Sequence, residues 1–198
     1  MVIDAIRTQA IGQVWGCLDD DVSRHGHLLE GVLVKGGMDI LRHHCCPVDQ
    51  VVVAIGCNAD RVRLAEDIHQ WGYEMVTIIH QTATVARDVE IGPGTVIMAG
   101  GIIQPGSRIG SLVVINTAAT VDHDCVVEDG AHLAPGVHLG GNVHVGREAL
   151  LGIGTMALPG TRIGDHSVVG AGSVIVRDIP ARVVAFGVPA RVRRVVVP

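Results

Sequence analysis

Residues 145–175 read VGREALLGIGTMALPGTRIGDHSVVGAGSVI, and this stretch decides the fold. An aliphatic residue returns at every sixth position, and glycine follows it by one or by three. Carried in both directions, the step picks out Val85, Ile91, Ile97, Ile103, Ile109, Ile115, Val121, Val127, Leu133, Leu139, Val145, Leu151, Ala157, Ile163, Val169 and Ile175. These sixteen positions are all aliphatic, without one insertion. In a chain that is 48% hydrophobic, random placement would do this about once in 10^5 tries per register. Four residues after the aliphatic comes a small residue in most units, as at Ser107, Ala119, Cys125, Ala131, Thr155 and Ser173. Six residues are too few for a helix and too regular for loops. Short strands joined by glycine-rich corners satisfy the pattern, because glycine takes backbone angles that a Cβ forbids. The sequence therefore predicts a β-solenoid over about residues 84–180, aliphatic stacked on aliphatic, coil upon coil.

Composition agrees. The 198 residues hold 26 glycines and only four aromatic side chains, Trp15, Trp71, Tyr73 and Phe186. Such a core must be filled in thin layers of Val, Ile, Leu and Ala. A net charge of −5 supplies no basic field for nucleic acid, and so few rings make no stacking platform for single strands. No apolar run approaches the roughly 18 residues of a membrane span, and no basic segment followed by an apolar run opens the chain as a signal peptide would. Five cysteines, at 17, 45, 46, 57 and 125, lack a framework spacing and read as reduced thiols in a cytoplasmic protein.

Residues 1–80 have another character. Val14–Leu18, Val51–Ile55 and Met75–Ile79 read as strands. Asn58 is placed to cap a helix from Ala59 to Trp71, with Val62, Ala65, Ile68 and Trp71 along one stripe and Gly72 at its end. A second helix is expected over Met38–His44, stopped before Pro47. Strands alternating with helices predict a small parallel α/β unit.

An α/β unit followed by this repeat resembles the hexapeptide-repeat acyltransferases, and within them the sialic acid O-acetyltransferase-like group, whose better-known members N-acetylate nucleotide-linked 4-amino-4,6-dideoxy sugars. The resemblance rests on Cys-Leu-Asp-Asp at 17–20, Ala-Ile-Gly-Cys-Asn at 54–58, Ile-Asn-Thr at 115–117, Val-Asp-His-Asp-Cys at 121–125 and Gly-Gly-Asn-Val at 140–143, with Asp-Ile-Pro at 178–180 and Gly-Val-Pro-Ala-Arg at 187–191 in the tail. It implies a left-handed parallel β-helix of about five turns, with three hexapeptides to a turn. It also implies a Rossmann-like α/β domain over 1–80 that binds the nucleotide sugar, a catalytic β-helix over 81–182 and a tail over 183–198. In the family a Gly-rich turn containing Gly-His opens the first unit. Met1 falls about sixteen residues later, so the unit is expected to be N-terminally truncated and to lack the turn that holds a nucleotide at a helix N-terminus.

The resemblance also implies the chemistry. Acetyl transfer to an amine needs the amine neutral as it attacks the thioester, and a neutral imidazole takes its proton. His123 matches the family's general base, and Asp124 the carboxylate that raises its basicity. Adjacent side chains diverge in a strand, so Asp124 reaches the imidazole only at a corner. His132, Ile153 and Ala171 match contacts to acetyl-CoA, and Gly141 a backbone N–H to the thioester oxygen. Asp19, Asp20 and Gly56 match contacts to the nucleotide sugar. Asn116 is expected either to position the acceptor or to ladder between coils, and Arg191, Arg193 and Arg194 either to meet CoA phosphates or to be a solvated tail. The expected assembly is a homotrimer with acetyl-CoA in a groove between neighbouring β-helices.

Other readings are weaker. Cys125 with His123 suggests an acyl-enzyme, but Cys125 occupies the small, inward phase. His132, His138 and His144 share one phase of consecutive units; at eighteen residues to a turn they lie on three faces and form no intrachain metal site. His43-His44-Cys45-Cys46 lacks the distant second pair of a closed zinc site. No two histidines have the x4 spacing of γ-type carbonic anhydrases, and no metal is expected. A sugar or sialic acid O-acetyltransferase, using the same base on an alcohol, is the near alternative, and a catalytically inactive scaffold the remote one.

Overall fold

The computed structural model describes residues 1–9 and 12–196. Two-residue strands recur every six residues from Ile78–Ile79 to Val174–Ile175. From Ile78–Ile79 to Met156–Ala157 each pairs in parallel with the strand 18 residues on, as Val96–Ile97 with Val114–Ile115 and Val114–Ile115 with His132–Leu133. Three sheets result, the sides of a triangular coil. Side one carries Ile79, Ile97, Ile115, Leu133, Leu151 and Val169; side two Val85, Ile103, Val121, Leu139, Ala157 and Ile175; side three Ile91, Ile109, Val127, Val145 and Ile163.

The sixfold pattern becomes a core because one residue of each strand points inward. Ile97, Ile115, Leu133, Leu151, Ile163 and Ile175 are completely buried, and each such side chain contributes about 1.5–3 kcal/mol. The small phase faces inward too. Ala119, Cys125, Ala131 and Ala149 are fully buried, and the buried hydroxyls in that phase are satisfied: Ser107 donates to the Asp122 carbonyl and accepts from the Cys125 N–H. Glycine one residue past the strand gives the next coil room, since a Cβ on Gly92 would stand 2.5 Å from the Ser111 nitrogen. Two residues further the corner turns through positive φ. Glycine usually takes that place, but Asp124 takes it with φ 57°.

The coil begins one unit earlier than the repeat count predicts. Met75–Ile79 is two strands rather than one. Val76 donates to the Val51 carbonyl while Thr77 donates to Gly92, so the chain passes there from the α/β unit to the β-helix. The end differs as well. Val183–Phe186 pairs in parallel with Val168–Val169, and Arg191–Val195 pairs antiparallel with Val183–Phe186. Residues 183–195 thus extend side one rather than forming a separate tail.

The N-terminal unit holds α1 (Val2–Gln9), β1 (Cys17–Leu18), β2 (Leu28–Leu29), β3 (Val32–Gly36), α2 (Asp39–Arg42), β4 (Gln50–Val51), α3 (Asn58–Gln70) and β5 (Glu74–Met75). β1 lies parallel to β3 and β4 to β5, as an α/β unit requires. The β2–β3 hairpin is antiparallel and was not expected; Glu30 and Gly31, with φ 49° and 76°, turn it. Asn58 does not cap α3. Cys57 stands at the cap, and the Asn58 amide instead donates to the Glu148 and Ala149 carbonyls of the β-helix. α2 is shorter than Met38–His44, because His44 already has φ 53°. α1 packs Ala5 against Ile78, Val96 and Met98 of side one. The unit therefore sits on side one and on the edge between sides three and one.

Candidate active site

His123 and Asp124 stand at the edge between sides two and three, just past the strand Thr120–Val121. Because Asp124 turns through positive φ, its side chain swings back beside its neighbour instead of to the opposite face. Asp124 Oδ2 lies 2.8 Å from His123 Nδ1, and the Asp122 carboxylate accepts the His123 backbone N–H at 2.8 Å. The hydrogen bond to Asp124 lifts the imidazole pKa above its ordinary value, and the charges of Asp122 and Asp124 add to it. With Nδ1 donating to Asp124, Nε2 carries the free lone pair.

That atom faces Gly141, which lies one coil further along the same edge. A Cβ on Gly141 would stand 2.5 Å from His123 Nε2 and 2.6 Å from Cε1, so only glycine leaves the ring its place. Gly141 N–H makes no hydrogen bond within the described chain. The repeat explains this. The second residue of each corner keeps its N–H out of the ladder. Proline fills that place at 93, 105, 135 and 159, and side chains satisfy it at Ser111, Thr117, His123 and Arg147. Gly141, Ile153 and Ala171 are among the residues where it stays unpaired. Ile153 and Ala171 follow one another along the edge between sides one and two, and Ile153 is 62% exposed.

His132 is elsewhere, on side one beneath the α/β unit. Its Nε2 lies 3.3 Å from Asn116 Nδ2, while Nδ1 is buried without a hydrogen-bond partner. Burial lowers its pKa; the Arg61 charge adds to this against a smaller opposing effect of the Gly56 backbone, so the ring is held neutral. Gly56 lies in the exposed loop before α3. Asn116 spends its other end on the Thr117 N–H. His138 pairs with Thr120 on side two and His144 with Glu128 on side three, so the three histidines do lie on three faces.

Asp19 and Asp20 end β1. Asp19 accepts from the Asp21 N–H and from Arg24, which lower its pKa, and Asp20 accepts from the Met38 N–H. Both carboxylates thus have structural duties in the loop they occupy. Cys125 is buried, donates to the Gly140 carbonyl and has its pKa raised by burial, the condition of a core thiol. Cys46 meets the Tyr73 hydroxyl and His44 stacks on the Tyr73 ring, so both side chains pack on one tyrosine. Arg193 lies over the Phe186 ring.

The sequence reading passed over Arg61 and Asp122. Arg61 is 1% exposed. Its signal was its place at i, i+4 and i+7 with Ala65 and Ile68, an arginine in an otherwise apolar stripe. Asp122 carries the Asx pattern that Asn116 shows six residues earlier.

A triangular coil with a histidine–carboxylate pair on one edge and unpaired corner N–H groups defines a β-helical transferase scaffold. Residues 142–177 match the family described as Bacterial transferase hexapeptide (six repeats). The chain is similar to a histidine-to-alanine mutant of GDP-perosamine N-acetyl transferase from Caulobacter crescentus, solved with CoA and GDP-perosamine: 39% identity, 97% of this chain and 90% of that one, TM-score 0.92. It is also similar to the acetyltransferase domain of PglB from Neisseria gonorrhoeae, at 35% identity over 97% of this chain and 93% of that one, TM-score 0.92. That domain has been solved with acetyl coenzyme A as well. Among curated relatives, Galactoside O-acetyltransferase of Lactococcus lactis is 59% identical over 44 residues, 22% of this chain and 21% of that one, so the chain spans about a fifth of that relative. The chain belongs to the hexapeptide-repeat acyltransferases, and its β-helix is left-handed.

Proposed function

We propose that the protein transfers the acetyl group of acetyl-CoA to the 4-amino group of a nucleotide-linked amino-dideoxy sugar, in surface-glycan biosynthesis in the cytoplasm. The observation that carries this is His123 Nε2 poised over Gly141 while Nδ1 is held by Asp124. A base and an oxyanion donor are then neighbours on one edge. As the neutral amine attacks the thioester carbonyl, the N–C bond forms and His123 Nε2 takes the amine proton. Charge gathers on the carbonyl oxygen, where the Gly141 N–H meets it. The C–S bond then breaks, and the CoA thiolate leaves and collects a proton. The unpaired N–H groups of Ile153 and Ala171 suit the amide-rich pantetheine arm.

The site spans two copies in this reading. His123 occupies the edge opposite side one, and the hydrophobic core separates it from Gly56 and His132. A second copy, in a homotrimer, brings its side one to this edge. The nucleotide-sugar acceptor is supported by the Caulobacter crescentus relative, solved with GDP-perosamine.

The test is thiol release from acetyl-CoA with UDP-, GDP- and dTDP-linked 4-amino sugars beside their 4-hydroxy counterparts. Turnover confined to an amino sugar supports the proposal. Turnover of the hydroxy sugars alone would replace it with O-acetylation, the reading that the similarity to Galactoside O-acetyltransferase favours. Silence with every acceptor would end it.

A further inference from the structure

Arg61 is a buried cation that the proposed chemistry does not use. It reaches out of α3 in two directions. Toward its own unit, Nη1 donates to the Ile55 carbonyl at 2.9 Å and Nη2 to Asn58 Oδ1 at 2.9 Å. Toward the β-helix, Nε donates to the Leu112 carbonyl at 3.0 Å and Nη2 to the Gly130 carbonyl at 2.8 Å. Ile55 and Asn58 bracket Gly56, and Gly130 stands two residues before His132. Asn58 adds two bonds to the same edge, at Glu148 and Ala149.

Burying an arginine among neutral acceptors costs free energy that a leucine in this stripe would not. What the guanidinium supplies is a rigid fork whose donors fix several acceptors at once. The two sides it joins are not equally firm. The coil is pinned without it, since Gly130 N–H donates to Ser111 and His132 N–H to Ala149. Residues 54–56 lie outside helices and strands and are exposed. The loop is therefore the partner that moves if the fork is lost.

We propose that Arg61 is a positioning residue for acceptor binding, holding the Gly56 loop in register with His132 so that nucleotide sugar and acetyl-CoA meet at a fixed separation. This rests on the acceptor assignment of Gly56 above. Lysine keeps the charge but not the fork.

Arg61→Lys in the full chain is expected to raise the acceptor KM by about tenfold or more while the acetyl-CoA KM stays within about threefold. Amide hydrogen exchange should quicken at residues 54–57 and stay slow at 130–133. Asn58→Ala leaves the guanidinium and three of its four hydrogen bonds, and should shift the same quantities in the same direction by less. It carries the test if the lysine variant does not fold. Equal rises in both KM values, a fall in kcat alone, an unchanged acceptor KM, or exchange quickened equally in loop and coil would each overturn the proposal. If the unaltered chain acetylates no acceptor, the proposed function fails. The exchange measurement then still decides whether Arg61 braces the loop.

Discussion

Gly141→Ala isolates the geometry of the base from the stability of the coil. Gly141 is not among the residues with positive φ, so alanine meets no backbone strain there. The three nearest atoms all belong to the His123 ring, with Nε2 at 2.5 Å, Cε1 at 2.6 Å and Cδ2 at 3.1 Å from the new Cβ. Ordinary carbon contacts need about 3.5 Å, so the ring must withdraw by roughly 1 Å. The His123 side chain is 61% exposed and can withdraw into solvent. Stability should then change by no more than about 0.5 kcal/mol, a Tm shift of roughly 1–2 °C. The displaced ring loses its alignment with the Asp124 carboxylate and with the acceptor nitrogen. A misplacement of about 1 Å costs on the order of 10^2 in rate, or about 2.7 kcal/mol. Steady-state thiol release beside a thermal melt would measure both. An alanine variant with kcat/KM within about threefold of the unaltered chain would refute the reasoning, because the ring would then not need its place.

Asp124→Asn removes the largest cause of the raised His123 pKa. The base works only when neutral, so activity is lost as pH falls through that pKa. Lowering the pKa moves the acidic limb of the kcat/KM profile to lower pH, with a lower plateau because the base is weaker; an unmoved limb would remove Asp124 from the account. Cys125→Ser preserves a small hydrogen-bonding side chain where Ser107, Ser167 and Ser173 already serve, and should retain activity within about threefold, whereas a 10^2-fold loss would revive the acyl-enzyme. Mixing His123→Ala chains with Gly56→Trp chains, each inactive alone, should restore about a quarter of full activity by random assortment if the site spans two copies. No restoration would place the whole site within one chain.

How much of this was legible in the sequence depends on range. The coil was legible because its period is local: each aliphatic residue stacks on one 18 residues away in the same phase, so the repeat is its own contact map. The unit at 78–79 was missed because His80 and Thr82 stand in the two glycine phases where the chain leaves the α/β unit. Residues 28–36 hid an antiparallel hairpin, since Leu28 and Leu29 are exposed and give no alternation; only Glu30-Gly31 marked the turn. At the site, the neighbourhood of His123 and Asp124 depended on one residue's positive φ, which an aspartate does not announce as a glycine does. The burial of Arg61 depended on carbonyls 51 and 69 residues away, and no local pattern encodes those. Asp19 and Asp20 were readable as loop residues, but their ties to Arg24 and Met38 required the fold.

His123 as the base of an acetyl transfer to a sugar amine can be tested on the enzyme itself. The most direct measurement is kcat/KM for the accepted nucleotide-linked amino sugar, at saturating acetyl-CoA, for the unaltered chain and for His123→Ala. The variant should fall by 10^2-fold or more, as loss of a general base does, with acetyl-CoA binding retained. Turnover by His123→Ala within about tenfold of the unaltered chain would contradict it, because some other group would then be taking the proton.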